Sequence, residues 1–390
     1  IEIVKLLLND ERIDVNKSNK DGNTPLLIAC HYDDISIVEI LLKHERIDVN
    51  KSNNQHDETP FYIACLKGRT EIVKLLLNDQ RVDVNKGNKY GSTPLWIACQ
   101  EGHNEVVKLL LNDKRVDVNN PRNYCCETPF FIACCQGHVE IVKLLLNDER
   151  VDIKKANKND ETPFWVACYG EHIEVAKLLL NDERVDVNQT DSDYRLTPLY
   201  IACQEGRIEM VELLLADQRV DVNKADTDGQ SPFLVACQLK RMNVIKLLLD
   251  DKRVNINQET IYGETPLYFA SCFNPSIKNV RYILASEKEV DFHAKCKNGK
   301  TAIDLAREKE KELRVCLEGL LSRDDQRPVE LIFRKKMLIQ KNIVELLESF
   351  EKNPNETRSR LRVRLGFAGK YLTFLFQFYL LYFQSLISYF

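Results

Sequence analysis

Three His-x-Glu triplets, His103-Asn104-Glu105, His138-Val139-Glu140 and His172-Ile173-Glu174, and two cysteine doublets, Cys125-Cys126 and Cys134-Cys135, are the residues whose types could do chemistry. Imidazole, carboxylate and thiolate groups are the usual zinc ligands, and a His near a carboxylate is also what general-base catalysis needs. The spacing argues against both. The triplets lie one repeat apart with no third ligand in register, and neither doublet belongs to a Cys-x-x-Cys pair. There is no Gly-rich phosphate loop, and Ser, His and Asp recur at turns and caps rather than as a catalytic set. The expectation is therefore no catalytic residue, no metal ligand and no cofactor.

Those residues are spaced by a larger pattern. TPLLIAC from Thr24 returns as TPFYIAC from Thr59, TPLWIAC from Thr93, TPFFIAC from Thr128, TPFWVAC from Thr162, TPLYIAC from Thr197, SPFLVAC from Ser231, TPLYFAS from Thr265 and a decayed TAIDLA from Thr301. Self-similarity at such a pitch means stacked copies of one supersecondary unit, each too short to bury its own apolar face. The unit from Val82 shows the grammar. Val82 and Val84 are β-prone and lead into a Gly-containing stretch that reads as a hairpin-like loop. Thr93 is a helix cap and Pro94 suits the first helical position. Leu95 to Cys99 are apolar on every side, as in a helix held between identical neighbours. Gly102 permits the left-handed turn that ends it. A second helix from about Glu105 places Val106, Val107, Leu109, Leu110 and Leu111 at helical spacing, with Lys108, Asn112 and Asp113 facing water.

Loop, helix, turn, helix, with TPLxIAC, a Gly-His turn, VVKLLL and a closing DVN, resembles the ankyrin repeat over about residues 1–322. The resemblance implies an all-α ankyrin-repeat solenoid of helix-turn-helix and hairpin-loop units, elongated, followed by C-terminal helices. Two departures stand out. The family's His is replaced by Leu27, Tyr62, Trp96, Phe131, Trp165, Tyr200, Leu234 and Tyr268, so apolar packing is expected in place of loop-stapling hydrogen bonds. The Gly-Ala before Asp-Val-Asn becomes a longer charged stretch, such as Asp182-Glu183-Arg184-Val185. The expected organisation is an array over 1–322, made of a half repeat, eight full repeats and a terminal capping repeat with a polar outer helix. A helical segment over 323–366 and a hydrophobic tail over 367–390 follow.

The net charge of −4 is uneven: residues 309–370 carry 15 Lys/Arg against 10 Asp/Glu, which leaves the repeats acidic and argues against nucleic acid as ligand. Of the 13 cysteines, Cys30, Cys65, Cys99, Cys134, Cys168, Cys203 and Cys237 share one repeat position, where a buried free thiol serves as a small hydrophobe. That usage points to a reducing, cytoplasmic setting. Asn16, Asn50, Asn188 and Asn355 head glycosylation patterns that would matter only in a secreted protein. No signal peptide is present, and Ile1 opens inside a helix without an initiating Met, as if sequence preceded it.

Binding is what remains. Framework positions recur almost unchanged, whereas the two residues after Ala-Cys and the loop tips do not. In the ankyrin family such positions line a concave groove for partner proteins. The resemblance thus marks His31, Tyr32, Leu66, Lys67, Gln100, Glu101, Cys135, Gln136, Tyr169, Gln204, Glu205 and Gln238, with Tyr90, Tyr124, Tyr194 and Tyr262 at the tips, as partner-contacting residues. Tyr supplies contact area at low entropic cost. Beyond the array, Asn353-Pro354-Asn355-Glu356 is a helix start, and Arg358, Arg360, Arg362 and Arg364 follow it. Tyr371–Phe390 carries no charge and is just long enough to cross a bilayer, with basic residues on its upstream side. The expected function is a non-enzymatic adaptor binding another protein. A membrane-tethered adaptor anchored by the tail, and the binding portion of an enzyme whose catalytic domain preceded residue 1, are the alternatives.

Overall fold

A computed structural model describes residues 1–273, 275–321 and 327–366; the uncharged stretch 371–390 lies outside the described residues. The chain forms two compact units, 1–198 and 199–390, and each is described by itself.

In unit one, α1 (Glu2–Leu8) precedes five helix pairs: α2 (Pro25–Tyr32) with α3 (Ile35–Leu42), α4 (Pro60–Leu66) with α5 (Thr70–Asn78), α6 (Pro94–Glu101) with α7 (Asn104–Asn112), α8 (Pro129–Gln136) with α9 (Val139–Leu146), and α10 (Pro163–Tyr169) with α11 (Ile173–Leu180). First helices pack on first helices and second on second. The caps explain where each pair begins: Thr24, Thr59, Thr93, Thr128 and Thr162 accept a hydrogen bond from the backbone N–H three residues on, at 3.1–3.2 Å, with Pro at the first helical position. α6 is buried from Pro94 through Cys99 and ends on Gly102 at φ +77°, where an added Cβ would lie 2.8 Å from the His138 ring. α7 buries Val106, Val107 and Leu110 and exposes Lys108.

The loops depart from the hairpin reading. Val82 and Val84 are buried, but no strand forms among the described residues. Each tip instead donates one backbone bond to the tip before it: Asn54 to Asp21 (3.0 Å), Lys89 to His56 (2.9 Å), Asn123 to Tyr90 (3.0 Å), Lys158 to Cys125 (2.9 Å) and Ser192 to Asn159 (2.8 Å). One bond per repeat is too sparse for a ladder.

Unit two continues with α12 (Pro198–Glu205) and α13 (Ile208–Ala216), α14 (Pro232–Gln238) and α15 (Met242–Asp250), α16 (Pro266–Ser271) and α17 (Ile277–Ala285), then α18 (Ala302–Leu321), α19 (Arg327–Lys352) and α20 (Pro354–Arg364). The terminal repeat is not a helix pair with an uncovered outer helix. α18 runs unbroken for 20 residues, since no Gly or Pro interrupts Ala302 to Glu318, and α19 packs along it. Gln340 of α19 is fully buried and donates to the carbonyls of Ser271 (2.9 Å) and Ala306 (3.2 Å), while Arg307 pairs with Glu348 at 3.0 Å. Asn353 precedes α20 without a side-chain cap bond. The arginines of α20 are largely engaged: Arg358 donates to the Leu284 carbonyl (3.4 Å), Arg360 to Ser349 Oγ (2.9 Å) and Arg362 to Glu287 (2.8 Å).

Candidate functional site: loop tips and first-helix ends

The residues between first and second helix show what the triplet histidines do. His103 stands at the start of α7 without capping it; its Nε2 lies 3.0 Å from the carbonyl oxygen of Leu66, one repeat back. His138 reaches the Gln100 carbonyl (3.0 Å) and His172 the Cys135 carbonyl (2.8 Å) in the same way. Arg69 donates to the His31 carbonyl (3.2 Å) and, in unit two, Arg241 to the Gln204 carbonyl (2.9 Å). These carbonyls end the first helices, where no intrahelical donor remains. A ring nitrogen committed to that bond is not free to ligate a metal, and among the described residues no group of three His, Cys, Asp or Glu converges.

The charged stretch absent from the ankyrin pattern does the same for the second helices. Arg81 forms a 2.6 Å ion pair with Asp79 and also donates to the Leu42 carbonyl (2.7 Å); Arg115 pairs with Asp113 and reaches Leu77, and Arg150 pairs with Asp148 and reaches Leu111. The Arg hydrogen bond holds the Asp79, Asp113 and Asp148 carboxyls below the usual carboxylate range. The Asn of Asp-Val-Asn completes the frame: Asn50 and Asn85 donate to the carbonyls of Arg81 and Arg115, both at 2.7 Å.

On this frame, none of the partner-contacting residues marked from the sequence is buried. In unit one His31, Tyr32, Leu66 and Lys67 come together in a groove of ≈ 430 Å³, closed on its other side by the tips at Asn19, Asp21, Asn53 and Gln55. Gln100 donates to Glu101 at 2.8 Å. Cys135 is half-buried, and burial, with Glu127 and Glu161 nearby, pushes its thiol up. Gln136 is exposed, and Tyr169 stacks on Trp165 with ring centroids 5.6 Å apart. Tyr124 is 80% exposed at φ +67°, and Tyr90 and Tyr194 are exposed as well. In unit two Gln204, Glu205 and Gln238 are half-buried, with Gln204 donating to Glu205 at 3.3 Å, and Tyr262 is exposed beneath the Lys297 ammonium, 5.5 Å from its ring centre.

Sequence reasoning missed three features. Arg122 lies over both Trp96 (5.1 Å) and Tyr90 (5.8 Å), and Lys89 lies over Tyr90 (5.1 Å), forming a cationic and aromatic cluster with no sequence motif. Tip length also alternates in unit one. The loops closed by Asn53 to Glu58, Arg122 to Glu127 and Asp191 to Leu196 carry one residue more than those closed by Asn19 to Asn23, Asn88 to Ser92 and Asn157 to Glu161. The alternating pitch of the Thr-Pro phrase held that signal. The third feature corrects the expectation of purely apolar packing where the family has His. Leu27 and Phe131 are buried as expected. Tyr62 instead accepts from Asn88 Nδ2 (3.1 Å), the Trp165 indole donates to the Leu196 carbonyl (2.9 Å) and, in unit two, Tyr200 donates to Asp226 (2.9 Å). An aromatic ring with a polar tip keeps the loop bond while filling the core. The seven periodic thiols are fully buried and unbridged, and burial pushes all of them up.

Comparison with known proteins agrees with this geometry. The family model for ankyrin repeats, in three-copy form, matches residues 1–88, 46–122, 80–157, 118–191 and 183–260. No curated protein matches. Among solved structures, the ankyrin repeat domain of Bcl-3, described as a unique member of the IkappaB protein family, is 22% identical with a TM-score of 0.53, over 58% of this chain and 98% of that one. That similarity carries the fold.

Proposed function

The chain belongs to the ankyrin-repeat family, whose repeats are generally protein-interaction modules, and we propose that it is a non-catalytic scaffold that binds another protein through its loop tips and first-helix ends. One observation carries this reading: the bonds that hold repeat to repeat recur at the same repeat positions, from His or Arg, while the more exposed positions beside them change from repeat to repeat. A framework kept constant under a varied, tyrosine-bearing surface is how one scaffold acquires a specific partner. The groove around His31, Tyr32, Leu66 and Lys67 and the tips Tyr90, Tyr124 and Tyr194 are the proposed contacts in unit one; Gln204, Glu205, Gln238 and Tyr262 are those of unit two. The absence of catalysis is supported by histidines tied to backbone carbonyls and by thiols held in their protonated form through burial. The seven periodic cysteines, buried one per repeat and used as small core residues, also favour a reducing, cytoplasmic setting.

The test is affinity capture with the intact chain as bait beside a variant altered together at Gln100, Glu101, Gln136, Tyr169, Gln204 and Glu205, followed by titration of the recovered, purified partner. The variant should lose most of its affinity while its stability changes by no more than ~0.5 kcal/mol, as exposed substitutions usually allow. A partner that binds the variant as well as the wild type would move the interface elsewhere. A membrane tether is the second reading, favoured by the uncharged run Tyr371–Phe390; among the described residues no helix is long and apolar enough to cross a membrane. Recovery of the full chain in alkaline carbonate supernatants would exclude the tether.

A further inference from the structure

We propose that unit two carries a second binding site, separate from the loop tips and first-helix ends, for a small anionic amphiphile: one negative head group on an apolar body. The site is a cleft of ≈ 470 Å³ where α18 and α19 meet the turn after α14 and the segment after α16. That volume lies within the range of small-molecule pockets. Phe273, Leu313, Phe333 and Ile339 give it an apolar lining, and Phe273 is left 60% exposed. Three lysines line it, Lys240, Lys309 and Lys336, against one carboxylate, Glu312.

The charges do not balance. Lys309 is satisfied by Glu312 at 2.8 Å. Lys336 has its ammonium 5.8 Å from the Phe333 ring centre and no carboxylate partner among the described residues, and Lys240 has no side-chain partner among them. Lys240 is also conformationally out of place. It sits at φ +57°, at the repeat position that Gly68, Gly102, Gly137 and Gly206 occupy elsewhere, and a left-handed non-glycine residue costs about 1 kcal/mol. Of two other substituted copies of this position, Asp33 pairs with Arg69 at 3.4 Å and Glu171 also has a partner. Lys240 lines the cleft instead.

An apolar lining excludes simple hydrated anions, and two uncompensated ammonium groups beside it disfavour cations and give a neutral oil nothing to pair with. What fits is an alkyl or aryl chain ending in a carboxylate or phosphate.

The test uses the full chain and four probes below their micelle concentrations: decanoate, decyl phosphate, decanol and decyltrimethylammonium. Binding is followed by calorimetry and thermal shift. Either anion should bind at least tenfold more tightly than decanol, and the ratio of the two anions distinguishes a fatty-acid-like head from a phospholipid-like one. Lys240→Gly should raise the melting temperature of the unliganded protein, because it relieves the left-handed strain, yet weaken anion binding by ~3–5-fold. Lys336→Met should weaken binding similarly with the melting temperature unchanged. Opposite signs for stability and affinity in Lys240→Gly separate a ligand-facing lysine from a structural one. Equal affinity for decanoate and decanol, wild-type affinity in the double variant, or no binding at millimolar probe would overturn the proposal.

Discussion

The repeats of unit one and the described residues of unit two from Ile277 to Gly366 face the same physical problem and solve it on different length scales. Helix ends leave carbonyl oxygens without intrahelical donors. In unit one the donors come from the adjacent repeat, at sequence separations of 37 for His103 to Leu66 and 38 for Arg115 to Leu77. Toward the end of unit two the donors change both type and position. Asn279, fully buried inside α17 and not at the His or Arg position, donates to the Cys237 carbonyl (2.9 Å), and Lys288 takes the place of the arginine in the charged stretch and donates to the Val254 carbonyl (2.7 Å). Beyond them the bonds span 69 residues for Gln340 to Ser271 and 74 for Arg358 to Leu284. Nearest-neighbour bonding makes stability a sum over repeats, whereas distant bonding makes the last helices depend on one another.

The largest expected effect tests the repeated region. Leu110 is fully buried in α7, and Leu110→Ala should destabilise by ~2–5 kcal/mol through the cavity it leaves. Because contacts in unit one are between neighbours, hydrogen exchange should show the loss concentrated in repeats adjacent to α7 and spare α18 to α20. Uniform loss of protection over the whole chain would mean that the nearest-neighbour description fails.

Gln340→Ala probes the other regime. It removes two donated bonds from a fully buried side chain and should cost ~1–3 kcal/mol. Exchange should then quicken in α16, α18 and α19 together, although α16 lies far from α19 in sequence. Unchanged exchange in α16 would show that the Ser271 bond contributes nothing to holding α19.

How much of this was legible in the sequence follows the same division. Thr93, Pro94, Gly102 and the cysteine series announce their roles because cap, turn and core positions are local and repeat many times. The charged Asp113-Lys114-Arg115 stretch was visible as a departure, but its purpose depends on a carbonyl 38 residues away. The polar tips of Tyr62 and Trp165 were missed for a related reason: side-chain type does not reveal which partner the next loop presents. The candidate contacts could be located on exposed positions, yet the Arg122 cluster beside them required three segments to be brought together. Gln340 has no local signature at all.

A smaller and pH-dependent effect is expected at the arginine staples. Asp113 is held below the ordinary carboxylate range, first by the side-chain hydrogen bond from Arg115. A depressed folded-state value means that this stabilisation is fully present above the unfolded carboxylate range, near pH 4, and is lost as pH falls through the folded value. Arg115→Ala should therefore cost ~1–2 kcal/mol at pH 7, the half-exposed arginine being partly screened. The difference from wild type should narrow below about pH 4 without vanishing, since the bond from Arg115 to the Leu77 carbonyl does not titrate. A constant difference from pH 7 to pH 3 would assign the whole effect to that carbonyl bond.

The smallest effect sharpens the comparison between short and long tips. The residue two before each helix-capping Thr or Ser is left-handed: Gly22, Gly91, Gly229, Gly263 and Gly299 in all but one of the short tips, Asp160 in the remaining short tip, and Asp57, Cys126 and Arg195 in the three long ones. Arg195 is exposed at φ +60° and has no side-chain partner among the described residues. Its Cβ carries the steric cost of that conformation, while glycine would add freedom to the unfolded chain, so the two effects oppose each other. Arg195→Gly should still gain ~0.5 kcal/mol, because relief of the left-handed strain outweighs the added freedom of the unfolded chain. The reverse change, Gly91→Arg, should lose more than this, since a Cβ there would meet the Asn123 side chain at 2.4–2.6 Å in addition to the strain. Paired denaturant titrations measure both. If Arg195→Gly lowers stability, the longer tip does not carry the strain its backbone angle implies, and alternate loops would differ in length but not in energy.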